Sequence, residues 1–268
     1  MKIRNNKIKL TVLIVNFNNA RFLVRSIESV LNQSCKLKKE IIVIDDNSTD
    51  NSIEILKKFK NKIKIIKNKK KTTKGSYNQM NCYYRGFLKS KGDYLFFLDS
   101  DDYFKKDKIK LVINEFSKRK TLKVLFDLPI WKYKNKIIKK KFKQKKFIIS
   151  NWPRFSPQSC ISVEKKFAEE FFNHINVKKF DKIWFDFRIA CYVFLKVGNL
   201  PILMRHLTYY RQLANSASKE FKTFSKNWWL RRKQAHDFVF YIERKLNVNN
   251  KFTLDKLLTK LVNFFLNE

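Results

Sequence analysis

Short, almost purely apolar runs, each closed by a polar cluster, constrain the fold of this chain most. Leu10 to Val15 (LTVLIV) is rich in β-branched residues and carries no charge. Such a run fits a strand buried on both faces, as in a parallel sheet. Asn16-Phe17-Asn18-Asn19 breaks it. Leu23, Ile27, Val30 and Leu31 then recur at helical spacing, which predicts a helix from Ala20 to Gln33. Ile41 to Ile44 reads as a second buried strand, closed by Asp45-Asp46-Asn47-Ser48, and Asp50 is placed to cap a helix carrying Ile53, Leu56 and Phe59. A third strand follows at Ile63, Ile65 and Ile66, a helix from Asn78 to Ser90, and a fourth strand from Tyr94 to Leu98 (YLFFL). Asp107 is placed to cap one more helix, with Ile109, Val112, Ile113 and Phe116 on its inner face.

Strands alternating with helices at this spacing specify βαβ units with right-handed crossovers. The expected class is α/β, a Rossmann-like, mostly parallel sheet flanked by helices. Ligands bind outside the carboxyl ends of such strands. The polar clusters fall at those ends: Asn16 to Asn18, Asp45 to Ser48, and Asp99 to Asp102. Six or more polar side chains are thus expected on one edge of one sheet.

After Leu122 the pattern changes. Val124, Phe126 and Leu128 alternate, and Trp131 to Ile149 is Lys-dense with a hairpin expected near Asn135. Asn151 to Pro157 reads as a loop and Cys160 to Val163 as a short strand. Helices are expected around Glu164 to Phe172, around Lys182 to Lys196, and through the tail from about Phe221. The expected organisation is residues 1–220 as one domain, with a first half (1–121) that carries the strand-end polar clusters and a second half (122–220). A helical tail, 221–268, completes the 268 residues.

Charge points elsewhere at first. The chain has 60 Lys and Arg against 23 Asp and Glu, a net charge of +37. That suggests nucleic acid or an anionic membrane. Most of the excess is Lys, accompanied by abundant Asn, Ile and Phe, as codon bias in an AT-rich genome would produce. Lys57 to Lys74 and Lys132 to Lys146 are acid-free basic runs, yet no zinc-finger, RNP-like or helix-turn-helix pattern accompanies them. Aromatic residues fall at core positions rather than along a basic strand. A nucleic-acid-binding protein is therefore the alternative reading, and nucleic acid is not the expected partner. Cys35, Cys82, Cys160 and Cys191 show no close pairing, which argues for free thiols in a reducing, cytoplasmic compartment. The basic N-terminus is followed by an apolar stretch that stops at Val15, so neither a signal peptide nor a transmembrane helix is expected.

Asp99-Ser100-Asp101-Asp102, straight after a buried strand, is the sharpest chemical signal. Carboxylates one residue apart can share a divalent cation such as Mg²⁺ or Mn²⁺, which prefers hard oxygen ligands. Such a metal neutralises a diphosphate leaving group. A solvated, helix-capping acidic turn is the plain alternative.

Together these stretches carry a family resemblance. TVLIVNFNNARFLVRSIESVLNQS, EIIVIDDNSTDNSIEIL and KGDYLFFLDSDDYF resemble, in order and spacing, an inverting family-2 glycosyltransferase of the GT-A fold. The match covers about residues 10–116. The resemblance implies nucleotide contacts from Asn18 and from Asp46 and Ser48 of the DDxS motif. It implies ribose and metal binding by the D-x-D step, Asp99 and Asp101. FDKIWFDFRIACYVFLKVGN resembles the acceptor-side segment in which an acidic pair opens a helix and an Asp deprotonates the acceptor hydroxyl. Here the pair is Phe185-Asp186, so the resemblance implies Asp186 as the base, with Asp181 in reserve. YYRQLANSAS resembles the closing segment and implies Arg211 near the diphosphate. The implied reaction transfers a sugar from a nucleotide-diphosphate sugar to a glycan or lipid-linked acceptor hydroxyl, with inversion. The missing Glu of the acidic pair keeps open an inactive relative that only binds a nucleotide.

Trp228 and Trp229 beside Arg231, Arg232 and Lys233 resemble an interfacial anchor. Leu254, Leu257, Leu258, Leu261, Phe264 and Phe265 form one apolar face, flanked by Lys256 and Lys260. Peripheral association with the inner face of an anionic membrane is one expectation, and packing of the last helix against the domain through that face is the other.

Overall fold

The computed structural model describes residues 9–68, 72–143, 150, 152–175, 179–213, 220–249 and 253–266. The N-terminal segment, parts of both basic runs and the end of the YYRQLANSAS segment lie outside the described residues. Strands β1 (Lys9–Asn16), β2 (Lys38–Asp45), β3 (Lys64–Lys67) and β4 (Tyr94–Asp99) pair in the order β3-β2-β1-β4, all parallel. Helices α1 (Ala20–Leu31), α2 (Ser52–Lys58) and α3 (Gly75–Lys89) make the crossovers. The sheet continues through β5 (Tyr103–Phe104), β6 (Val124–Lys132), β8 (Ile161–Glu164) and β9 (Ile202–Arg211), in the order β4-β8-β6-β9-β5. This half is mixed: β8 runs antiparallel to β4 and β6, whereas β6 and β9 are parallel. β7 (Ile137–Lys139) forms the expected hairpin with β6.

Strand alternation divides the interior into two cores. Val12 and Ile14 of β1 meet α1, α2 and α4 (Lys108–Lys118) on one face. Leu13 and Val15 meet α3, α5 (Lys165–His174) and α6 (Phe185–Val197) on the other. Both faces are buried, which is why the strand sequences are continuously rather than alternately apolar. Helix α7 (Lys226–Leu246) begins just after the expected boundary near 221. Its Ala235, Phe238, Val239 and Ile242 lie in the same core as α6.

Helix starts were less legible. Asp107 precedes α4, but its side chain makes no capping bond. Asp50 does more than cap the next helix: it accepts from the Ser52 N–H and from the Ala20 N–H, joining the first turns of α2 and α1. Helix α3 starts three residues before Asn78, and the Asn78 side chain reaches back to the Thr72 backbone. Helix α6 starts at Phe185, three residues after the expected Lys182.

Gly92 shows a close approach that only glycine fits. An added Cβ would stand 2.4 Å from the Thr11 amide nitrogen and 2.5 Å from the Leu10 carbonyl carbon. These are backbone atoms of a central strand and cannot swing aside. Gly92→Ala is expected to cost about 1–3 kcal/mol in chemical denaturation. An unchanged denaturation midpoint would show that the turn relaxes freely.

Candidate active site

Register places the three polar clusters together. Asn16 pairs with Asp45 across β1 and β2, and Val15 with Asp99 across β1 and β4. The adjacent acids at the end of β2 then separate in role. Asp45 accepts from the Asn16 amide, the Ser48 N–H and the Ser48 hydroxyl, so it organises the loop. Asp46 is buried and accepts from the Asn68 amide at 2.8 Å. Asn68 in turn accepts from Arg85. Asn18 has a left-handed backbone (φ 49°), and its amide group bonds Thr49. Ser48 is bonded on every side. Its hydroxyl donates to Asp45 and accepts from the Asn16 side chain and the Asn18 N–H. One donor and two acceptor sites are all a hydroxyl has. Ser48 thereby holds together the loop that carries Asn18 and Asp46.

Asp99, Asp101 and Asp102 bring carboxylate oxygens within 4.8 Å of one another. Asp99 accepts from Tyr83, Gln79 and Gln158. Asp102 accepts from the Ser159 hydroxyl at 2.6 Å and the Arg211 N–H at 2.7 Å. Burial pushes all three carboxyls up, and the neighbouring carboxylates add to this for Asp99 and Asp102. Arg211 and Arg21 act the other way on Asp101. Three hard oxygen donors, crowded and held against their mutual repulsion, fit a divalent cation. Asp99 Oδ1 already takes two bonds, from Tyr83 and Gln79, whereas Asp99 Oδ2 and both Asp102 oxygens take one each and retain a lone pair for it.

Sequence reading missed the support beneath this cluster. Lys108 is fully buried, 2.8 Å from Asp127, and donates to the Ser159 carbonyl and the Thr208 hydroxyl. Thr208 donates to Asp127 as well. The fixed Ser159 hydroxyl accepts from the Asp99 N–H while donating to Asp102. A buried ion pair thus sets the position of two of the clustered acids. A lysine opening a helix gave no local sign of this, because its partners are 19, 51 and 100 residues away.

Asp186 lies in the first turn of α6 and accepts from the Phe187 N–H at 2.8 Å. Burial pushes its carboxyl up to about 6, opposed by that N–H and by Arg231 of α7. Its charge is felt at Asp99, and Asp186 and Asp99 both bear on Tyr210, whose hydroxyl is pushed up mainly by burial. Asp186, Tyr210, Trp131, Arg154 and Gln212 line a cavity of about 350 Å³. A larger one, about 940 Å³, opens among Leu122, Glu164, Lys196 and Ile202 and contains none of these acids. Arg188 presents Asp186: its buried guanidinium donates to the carbonyls of Lys179, Phe180 and Ile183, fixing the approach to α6.

Asp181 is differently placed. It pairs with Lys74 and accepts from Gln234 at 2.8 Å. Burial favours its neutral form, but these partners outweigh burial and hold the carboxyl below its ordinary value. A carboxylate so stabilised is a weaker proton acceptor, and its partner Lys74 remains largely exposed.

Arg211 donates to the Asp101 carbonyl at 2.8 Å, and its guanidinium lies 4.1 Å from the centre of the Phe22 ring. Arg25 stacks over Tyr103 at 3.9 Å, and Lys132 donates to the Tyr103 hydroxyl. Burial, then Arg25 and Arg211, lower the Lys132 ammonium. Cations from α1, β6 and β9 therefore gather beside the acids, and only the pairing of β5 and β6 with β9 reveals it.

The sequence profile described as Glycosyl transferase family 2 matches residues 11–184. The uncharacterized glycosyltransferase alr2836 of Nostoc sp. is 30% identical over 218 residues, 76% of this chain and 64% of that protein. The poly(ribitol-phosphate) beta-N-acetylglucosaminyltransferase TarP of Staphylococcus aureus is 41% identical over 97 residues, 35% of this chain and 28% of that protein. The chain thus spans less than two thirds of the length of either relative. The crystal structure of S. aureus TarS 1–349 in complex with UDP superposes with a TM-score of 0.62 at 15% identity, covering 94% of this chain and 68% of that one. This likeness shows the GT-A fold.

Proposed function

The chain belongs to glycosyl transferase family 2, and from that premise we propose that it transfers a sugar from a nucleotide-diphosphate sugar to an acceptor hydroxyl, with inversion. The reading extends to cell-surface polysaccharide, lipopolysaccharide or glycolipid synthesis, with a glycan or lipid-linked acceptor. One observation carries it: Asp99, Asp101 and Asp102 bring their carboxylate oxygens within 4.8 Å of one another at the end of β4, with the Arg211 N–H bonded to Asp102.

Roles follow from chemistry. Asn18 and Asp46 line the nucleotide end, and Asp99 adds an acceptor for the ribose. A Mg²⁺ or Mn²⁺ ion would be held by Asp101 and Asp99, and when bound it supplies positive charge against the leaving diphosphate. Arg211 stands where it adds a second, fixed positive charge. Asp186 takes the proton of the attacking hydroxyl. A single displacement of this kind inverts the sugar carbon. The setting is cytoplasmic, with peripheral association at the inner face of the membrane. Free Cys35, Cys82, Cys160 and Cys191 are consistent with a reducing compartment.

A donor screen with Mg²⁺ or Mn²⁺, comparing the natural chain with Asp101→Ala, tests this. Altering groups that merely support a ligand costs about 10–100-fold in metal affinity. Removing Asp101 is expected to cost at least that much in metal-dependent nucleotide binding, measured calorimetrically. Absence of transfer from every donor would sink the enzymatic reading, and unchanged nucleotide binding in Asp101→Ala would sink the metal assignment.

A further inference from the structure

Helix α8 (Leu254–Phe265) packs with its polar side inward. An amphipathic helix on a globular domain ordinarily buries its apolar stripe. Here Asp255, Thr259 and Asn263, four residues apart, are the buried positions. Arg232 of α7 donates to Asp255 at 2.7 and 2.5 Å, and His236 approaches its other oxygen at 3.2 Å. Asn263 donates to the Trp229 carbonyl. These bonds fix the rotation of the helix, so its outward face is imposed. That face carries Leu254 (72% exposed), Leu258 (53%), Leu261 (51%), Phe264 (64%) and Phe265 (67%), with Leu257 beside them. The expectation that the last helix packs through its apolar face is overturned.

We propose that this face is a docking surface for an anionic lipid bilayer, with α8 lying in the headgroup plane. Charge selects the occupant. The single acid of α8, Asp255, is turned inward, whereas Lys256 and Lys260 flank the apolar face. A second copy of a chain with net charge +37 would bring like charge against those lysines. An anionic bilayer accepts both the apolar side chains and the lysines. The Asn263 bond also sets the Phe264–Phe265 end beside the start of α7. There Phe224, 73% exposed, clusters with Trp228 and Trp229, the aromatic types that favour membrane interfaces. Arg231 of the same α7 bears on Asp186. If the glycosyltransferase reading holds, on which this one clause rests, docking brings a lipid-linked acceptor to the helix that borders the base.

The test is co-sedimentation of the full chain with phosphatidylcholine vesicles, with and without phosphatidylglycerol, at low and high salt. The natural chain is expected to pellet with the anionic vesicles and to be released by salt. Leu257→Gln with Leu261→Gln, substitutions on the outward face, should weaken binding on the order of tenfold or more. Lys256→Glu with Lys260→Glu should do the same by charge alone. Circular dichroism checks that the variants stay folded, and calorimetric nucleotide binding tests the catalytic reading separately. Natural protein remaining in the supernatant with anionic vesicles at low salt would overturn the proposal. So would a dimer that the leucine variant splits while vesicle binding is unchanged.

Discussion

Turnover by the Asp186→Asn enzyme is expected to fall by about 10²–10⁴-fold, the range for loss of a general base, while nucleotide binding persists. Asparagine keeps the shape of the side chain and its bond from the Phe187 N–H, but it cannot accept the proton. Burial at the start of α6 pushes the Asp186 carboxyl up to about 6. A base works when deprotonated, so activity is present above that value and is lost as pH falls through it. The natural enzyme should show an acid limb near pH 6, and the variant should lack it. Asp181→Asn should leave the limb in place, because that carboxyl is held low by Lys74 and Gln234. Steady-state kinetics across pH decides the matter. Natural turnover in Asp186→Asn, or a profile without an acid limb, would remove Asp186 from the mechanism.

Lys108→Met is expected to destabilise the fold by about 3–5 kcal/mol, the usual cost of leaving one partner of a buried ion pair uncompensated. Asp127 would stay buried with the Thr208 hydroxyl and the Cys160 thiol as donors but no balancing charge. Burial already raises the Asp127 carboxyl despite Lys108. Without the lysine it rises further above its unfolded value, so the folded variant binds the extra proton. The deficit should therefore shrink as pH falls. Adding Asp127→Leu should recover much of the loss, because an apolar pair avoids the desolvation penalty. Denaturant melts at two pH values read all three outcomes, and a loss below about 1 kcal/mol would show that the pair is not a support. Ser159 would also lose its fixed position, and weaker metal-dependent nucleotide binding should accompany the unfolding.

Local order was readable where it follows from repeating apolar spacing. The four parallel strands, their crossover helices and the hairpin near Asn135 all stand within a few residues of expectation. Helix starts were readable only in part, because capping by Asp50 and the placing of Asn78 depend on partners from other loops. In the site, Asp99, Asp101 and Asp102 were legible because they adjoin in sequence. Lys108, Ser159, Arg188 and Arg25 were not, since nothing nearby in the chain distinguishes a buried lysine or arginine from a solvated one.

Sequence by itself therefore determined the parallel half of the sheet, its carboxyl edge and the acids that stand there. Periodicity and strand-end position are local properties, and hydrophobic burial enforces them wherever the segments pack. Tertiary structure alone decided the surroundings of the two candidate acids: Asp181 pairs with Lys74, while Asp186 lines a cavity with Tyr210. It also decided the direction of α8. Amphipathic spacing reveals an apolar face but not where it points, and the Arg232–Asp255 pair, formed between two helices, turns that face outward.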